Sequence, residues 1–180
     1  MVQSTDKLAL RVLILRCQLR DRQALAELIE QYEQPIRYFI RRLADDADLA
    51  EELFQETWLT VIRRIHALTD PESFTVWLYR IARNKVYAHF RRHKQMAELD
   101  ESVEAPDDPQ ANAFYLDDAA KLHRCLGQLS PLHKEVLLLR FLEEMPYEQI
   151  AEVLGCRLGT VRSRLHHAKR ALREKWEESP

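Results

Sequence analysis

PYEQIAEVLGCRLGTVRSRLHHAKRALR, residues 146–173, reads as a helix, a tight turn and a second helix. Ile150, Ala151 and Leu154 share a face of the first helix. Val161, Leu165, Ala168 and Leu172 recur at i, i+4, i+7 and i+11 on the second. Ala151 is small, so two helices can cross closely there. Gly155 follows the last apolar residue of the first helix, where a left-handed C-terminal residue is expected. Ala151, Gly155 and Val161, four and then six apart, fit the helix-turn-helix pattern. Beside the apolar stripe runs a cationic one with the same spacing: Arg162, His166, Lys169 and Arg173, flanked by Arg164 and Arg170. A helix with one apolar and one cationic face can seat on a core and enter a major groove.

The rest of the chain agrees with a helical reading. Its 180 residues admit one or two domains. Hydrophobic content of 46% and charged content of 31% are ordinary for a globular protein. Glycine occurs 3 times, and the periodic segments are rich in Leu, Ala, Glu and Arg, which predicts an all-α fold. The apolar runs are short and broken by Arg11, Arg16 or Arg140, so membrane insertion is not expected. The opening MVQSTDKLAL lacks the basic, apolar and small-residue succession of a signal peptide. Cys17, Cys125 and Cys156 are odd in number and far apart, and are expected as reduced thiols in a cytoplasmic protein.

The net charge of −2 conceals strong segregation. Asp45, Asp46, Asp48, Glu51, Glu52 and Glu56 fall together without a base. Arg80, Arg83, Lys85, Arg91, Arg92 and Lys94 follow with only Glu72 against them. Glu98 to Asp118 is again acidic, and Arg157 to Lys175 again basic. Cationic faces suit phosphate; the anionic ones call for a different partner or none.

Helices are expected over residues 1–20 (Leu8, Val12, Leu15, Leu19), from an Asp21 cap to about Leu43, and from Asp45 or Asp46 onward with Leu49, Leu53, Trp58, Val61, Ile62 and Ile65 inward. Pro35 should kink the second. ALTDPES, residues 67–73, is a turn. A fourth helix runs from about Glu72 to Lys94 with Phe74, Trp77, Leu78, Ile81 and Ala82 inward. Pro106, Pro109 and the acid run mark residues 96–118 as a flexible acidic linker between a domain at 1–95 and another at 119–180. Ser130-Pro131 starts a helix whose Val136, Leu137, Phe141 and Leu142 pack beneath the helix-turn-helix, and Pro146 starts the next.

Two helical domains joined by an acidic linker, the second ending in a helix-turn-helix, resemble bacterial RNA polymerase sigma factors of the extracytoplasmic-function (ECF) class in the sigma-70 family. DLAEELFQETW, residues 48–58, resembles the helix by which such factors grip core RNA polymerase; FTVWLYRIARN, residues 74–84, resembles the promoter-melting helix; GTVRSRLH, residues 159–166, resembles the helix that reads the upstream promoter element. By this resemblance Asp48, Leu49, Glu52, Leu53, Gln55, Glu56 and Trp58 bind polymerase. Leu68, Thr69, Asp70, Ser73, Tyr79, Arg80, Arg83, Asn84, Lys85 and Tyr87 open the downstream element, with an extruded base held by the turn. Arg157, Thr160, Arg162, Ser163, Arg164, His166, His167, Lys169, Arg170 and Arg173 contact the upstream element. Aromatics, cations and an amide on one helix suit single-stranded DNA, where bases stack and phosphates are neutralised. The resemblance implies a factor that binds core polymerase and double- and single-stranded promoter DNA. It implies no catalysis and no cofactor, and an anti-sigma factor as a further partner. His167 stands where many relatives carry Arg, which limits any transfer of promoter sequence.

Other readings compete. A plain DNA-binding regulator would use the C-terminal domain alone, but leaves residues 48–58 and 74–84 without a role. A helical metalloenzyme would use His89 and His93, at i and i+4, but no third ligand with suitable spacing accompanies them. A sigma-like decoy that binds only an anti-sigma factor is opposed by the intact basic helix.

Overall fold

The computed structural model describes residues 2–97 and 117–179. These residues are helical and contain no strand. The N-terminal half is built from α1 (Val2–Gln18), α2 (Arg22–Ala44), α3 (Ala47–Arg64) and α4 (Phe74–Ala97). The C-terminal half holds α5 (Asp117–Gly127), α6 (Pro131–Leu137), α7 (Tyr147–Leu154) and α8 (Leu158–Glu178). Apart from its edges, the acidic linker lies outside the described residues; α4 continues to Ala97 at one edge, and α5 begins at Asp117 at the other.

The helix ends follow local chemistry. The Asp21 carboxylate accepts from Gln23 N and Ala24 N at 2.9 and 3.1 Å and starts α2. Asp45 closes that helix in the left-handed region at φ 57, and Asp46 caps α3 by accepting from Leu49 N at 2.7 Å. α2 runs through Pro35 without interruption. Asp70 and Pro71 open a short 3₁₀ turn, Pro71–Ser73, that leads into α4. Ser130 caps α6. Pro146 is the cap residue of α7 and not its first helical residue, the place expected of it.

Periodicity located the apolar faces, and packing chose among them. In α1 the buried residues are Leu13, Ile14 and Cys17, while the expected stripe Leu8, Val12, Leu15 and Leu19 faces solvent, Leu19 at 82% exposure. The helix is apolar on two sides, and Gln18 helps fix its rotation by donating to the Ile65 and Leu68 carbonyls at 3.0 and 2.7 Å. Burial pushes the Cys17 thiol up to about 11, so it remains protonated. In α3 the core takes Ala50, Leu53, Phe54, Thr57, Trp58 and Val61, and Ile62 points outward. Thr57 satisfies its hydroxyl on Leu53 O at 2.7 Å.

Aromatic edges knit α2 to α4: Phe39 meets Tyr79 at 5.1 Å and Tyr32 meets Phe74 at 5.3 Å between ring centroids. In the C-terminal half α6 runs on into a π-helical turn, Leu138–Leu142. That turn shifts the helical phase. Leu138 and Leu139 go inward, whereas Phe141 and Leu142, expected in the core, are 55% and 52% exposed. The two halves touch, α4 against α7 and α2 against α6.

Candidate nucleic-acid interface

The helix-turn-helix is formed by α7 and α8. Its turn is a Schellman motif: Cys156 N donates to Ala151 O at 3.0 Å and Gly155 N to Glu152 O at 3.4 Å. Gly155 takes φ 62, where a side chain would be strained. Ile150, Val153 and Leu154 of α7 and Val161, Leu165 and Ala168 of α8 are buried, and Ala151 and Leu172 partly so. This seats α8 with Arg157, Arg162, Ser163, His166, His167, Lys169, Arg170 and Arg173 exposed and Thr160 half-buried. Lys169 Nζ lies over the Phe141 ring at 5.3 Å from its centroid, and Arg170 pairs with Glu174 at 3.4 Å. Arg164 departs from the expected face. It is half-buried and directed inward, its Nη1 3.8 Å from Glu135 Oε1.

On α3 the exposed residues Asp48, Glu52, Gln55, Leu59 and Ile62 form one stripe at i, i+4, i+7, i+11 and i+14, with Ala47, Arg63 and Arg64 exposed at the helix ends. Leu53 and Trp58, expected at a partner surface, are buried beneath it, and Leu49 is half-buried. Leu59 and Ile62 are apolar residues that sequence reasoning did not assign to this face. Glu56 is hydrogen-bonded by Lys85 Nζ at 2.8 Å, which holds its carboxyl below the usual range despite partial burial.

The turn and α4 form the third surface. Leu68, Thr69, Ser73, Trp77 and Arg80 line a cleft of about 440 Å³, together with Arg64 and with Glu152 from α7. Asp70 and Ser73 shape the turn itself: Asp70 accepts from Glu72 N at 3.0 Å, and Ser73 Oγ donates to Asp70 O at 2.7 Å. Arg80 and Asn84 are exposed.

Two aromatics of α4, Trp77 and Tyr79, exchange their expected places. Tyr79 is fully buried at 0% exposure and belongs to the core, so it does not reach a DNA strand in this conformation. Trp77, expected inside, is partly exposed at the cleft. Burial and the neighbouring Glu143 push the Tyr79 phenol far up, and burial likewise raises the Glu143 carboxyl. Arg83 and Tyr87 face the C-terminal half and bond Glu135. Lys85 is turned to Glu56. His89 and His93 stack at 4.3 Å, and among the described residues no three ligand-bearing side chains gather.

Two family models match the chain in order. Residues 28–96 match "Sigma-70 region 2" and residues 119–172 match "Sigma-70, region 4". The RNA polymerase sigma-H factor of Pseudomonas aeruginosa is 30% identical over 89% of this chain and 90% of its own length. The ECF RNA polymerase sigma factor SigE of Mycolicibacterium smegmatis is 33% identical over 82% of this chain, which spans 60% of that protein's length. Among solved structures, the sigma factor RpoE in complex with the anti-sigma factor NepR from Bartonella quintana superposes with a TM-score of 0.73 at 24% identity, over 84% of this chain and 96% of that one.

Proposed function

This chain belongs to the extracytoplasmic-function class of RNA polymerase sigma factors, and we propose on that premise that it recruits core polymerase to a subset of promoters and opens them. The observation that carries the reading is the pair of sigma-70 regions, 2 then 4, matched in order on one chain. A plain regulator accounts for the second alone.

The geometry supports a division of labour. α8 enters the major groove of the upstream element with Ser163 and His166 toward base edges, Arg162 on a base edge and the adjoining phosphate, and Arg157, Lys169, Arg170 and Arg173 on phosphates. The α3 stripe docks on core polymerase: Asp48, Glu52 and Gln55 meet a basic surface, and Leu59 and Ile62 add apolar contact. Leu49, Leu53 and Trp58 hold that helix in place from beneath. The cleft between Leu68 and Ser73 receives an unstacked base of the non-template strand, against Trp77, with Arg80 and Asn84 beside it. The domains are residues 1–95 and 119–180, with 96–118 as the tether. An anti-sigma factor is the expected antagonist, and the place of action is the cytoplasm. No covalent step is asked of any residue.

The test is association with core polymerase. The chain should bind purified core enzyme as a stoichiometric complex that carries it onto promoter DNA. A folded chain that binds DNA and leaves core polymerase alone is a plain regulator.

A further inference from the structure

Glu135 of α6 has no role in that division of labour, yet its side chain is 0% exposed and its partners come from both halves of the chain. Its Oε2 accepts from Arg83 Nε at 2.8 Å and from the Tyr87 hydroxyl at 3.0 Å, and its Oε1 from Arg83 Nη2 at 3.3 Å. Arg164 Nη1 of α8 lies 3.8 Å from Oε1 without a hydrogen bond. The Arg83 guanidinium also lies over the Tyr87 ring, 4.5 Å from its centroid.

The adjacent residue repeats the arrangement with opposite charge. Lys134, with a side chain 4% exposed, donates to both carboxylate oxygens of Asp45 across the same junction, at 2.8 and 2.6 Å. Farther along α4, Glu143 faces Tyr79 and Glu152 stands at the cleft beside Arg80. The C-terminal half thus lays carboxylates along the helix assigned to single-stranded DNA.

A buried carboxylate persists only when it is paired. Glu135 draws its hydrogen bonds from α4, so separating the halves leaves it with Arg164 alone. The arginine fork that grips a carboxylate also grips a phosphate. We propose that Glu135 is a latch: it holds Arg83, Tyr87 and Arg164 on a carboxylate where strand phosphate would otherwise sit, so that the closed chain and DNA compete for the same donors. The Lys134–Asp45 pair is its second fastening. The proposal rests on the DNA roles given above to α4 and α8.

The test uses the full chain without polymerase, as Glu135→Gln and separately as Asp45→Asn. Glutamine keeps the shape and removes the charge; Asp45 is exposed, so its replacement spares the core. Circular dichroism confirms folding, small-angle scattering reads the radius of gyration, and fluorescence anisotropy reads affinity for a labelled single-stranded oligonucleotide of mixed sequence. Both variants should be larger than the parent and bind the oligonucleotide more tightly. If the closed form holds about nine-tenths of the molecules, its loss raises apparent affinity about tenfold for E135Q, with a smaller gain for D45N. Unchanged dimensions in the folded variants overturn the latch. If E135Q does not fold, the dimensions of D45N decide the matter in the same way. Larger dimensions with unchanged affinity leave Glu135 a fastening between the halves and overturn its competition with DNA.

Discussion

Replacing Arg162, Lys169 and Arg173 together by alanine should change how promoter binding responds to salt. All three side chains are exposed on α8, one turn or two apart, and none belongs to the core. Surface substitutions of this kind change stability by about 0.5 kcal/mol or less. Lys169 also gives up its place over Phe141, 5.3 Å from the ring centroid. Such a contact is worth about 0.5–1 kcal/mol at an exposed site, so a small fall in Tm accompanies the change. Each phosphate contact contributes about 0.9 to the slope of log affinity against log salt, hence roughly 2.7 for three. Across a fourfold rise in salt, from about 50 to about 200 mM, three contacts amount to a factor of roughly 40 in affinity. Holoenzyme carrying the triple variant should therefore bind promoter duplex more weakly at low salt and lose about 40-fold less over that range. Anisotropy titrations at several salt concentrations measure this. A slope equal to that of the parent refutes the assignment of this face to DNA.

Reversing Asp48 and Glu52 to lysine should keep the fold, since both are exposed, and weaken assembly with core polymerase in a fluorescence titration; equal affinity would remove the α3 stripe from that interface. Asn84→Ala holoenzyme should bind its promoter and open it less by permanganate footprinting, whereas Tyr79→Phe, confined to the core, should open it normally. Leu165→Ala, at a position 2% exposed under the helix-turn-helix, should cost about 2–5 kcal/mol and appear as a lower Tm in calorimetry.

Where chemistry is local, the chain announces its structure. Asp21, Asp46 and Ser130 cap helices because their oxygens accept from amides two or three residues ahead, and Gly155 ends α7 because it tolerates positive φ. The stripes of α8 are legible because one apolar and one cationic set repeat a residue apart. Elsewhere the period names a face without saying what will cover it. α1 carries two apolar sides, and its docking through Gln18 buries Leu13, Ile14 and Cys17 in place of the more regular stripe. Tyr79 and Trp77 lie two residues apart, and the meeting of Tyr79 with Phe39 decides which goes inside. Phe141 and Leu142 turn outward because a π-helical turn breaks the 3.6-residue period. The contacts of Glu135 with Arg83 and Tyr87 span 52 and 48 residues and leave no local signal.

Transcription in vitro from a genomic promoter library, with core polymerase and this chain as the only factor, settles whether the chain programs the polymerase. Discrete start sites absent with core enzyme alone are expected, their promoters sharing an upstream and a downstream block of sequence, with loss of that selection in Arg162→Ala. The absence of any start site beyond the core-only background, from a folded chain that still binds duplex DNA, would contradict a sigma-factor role.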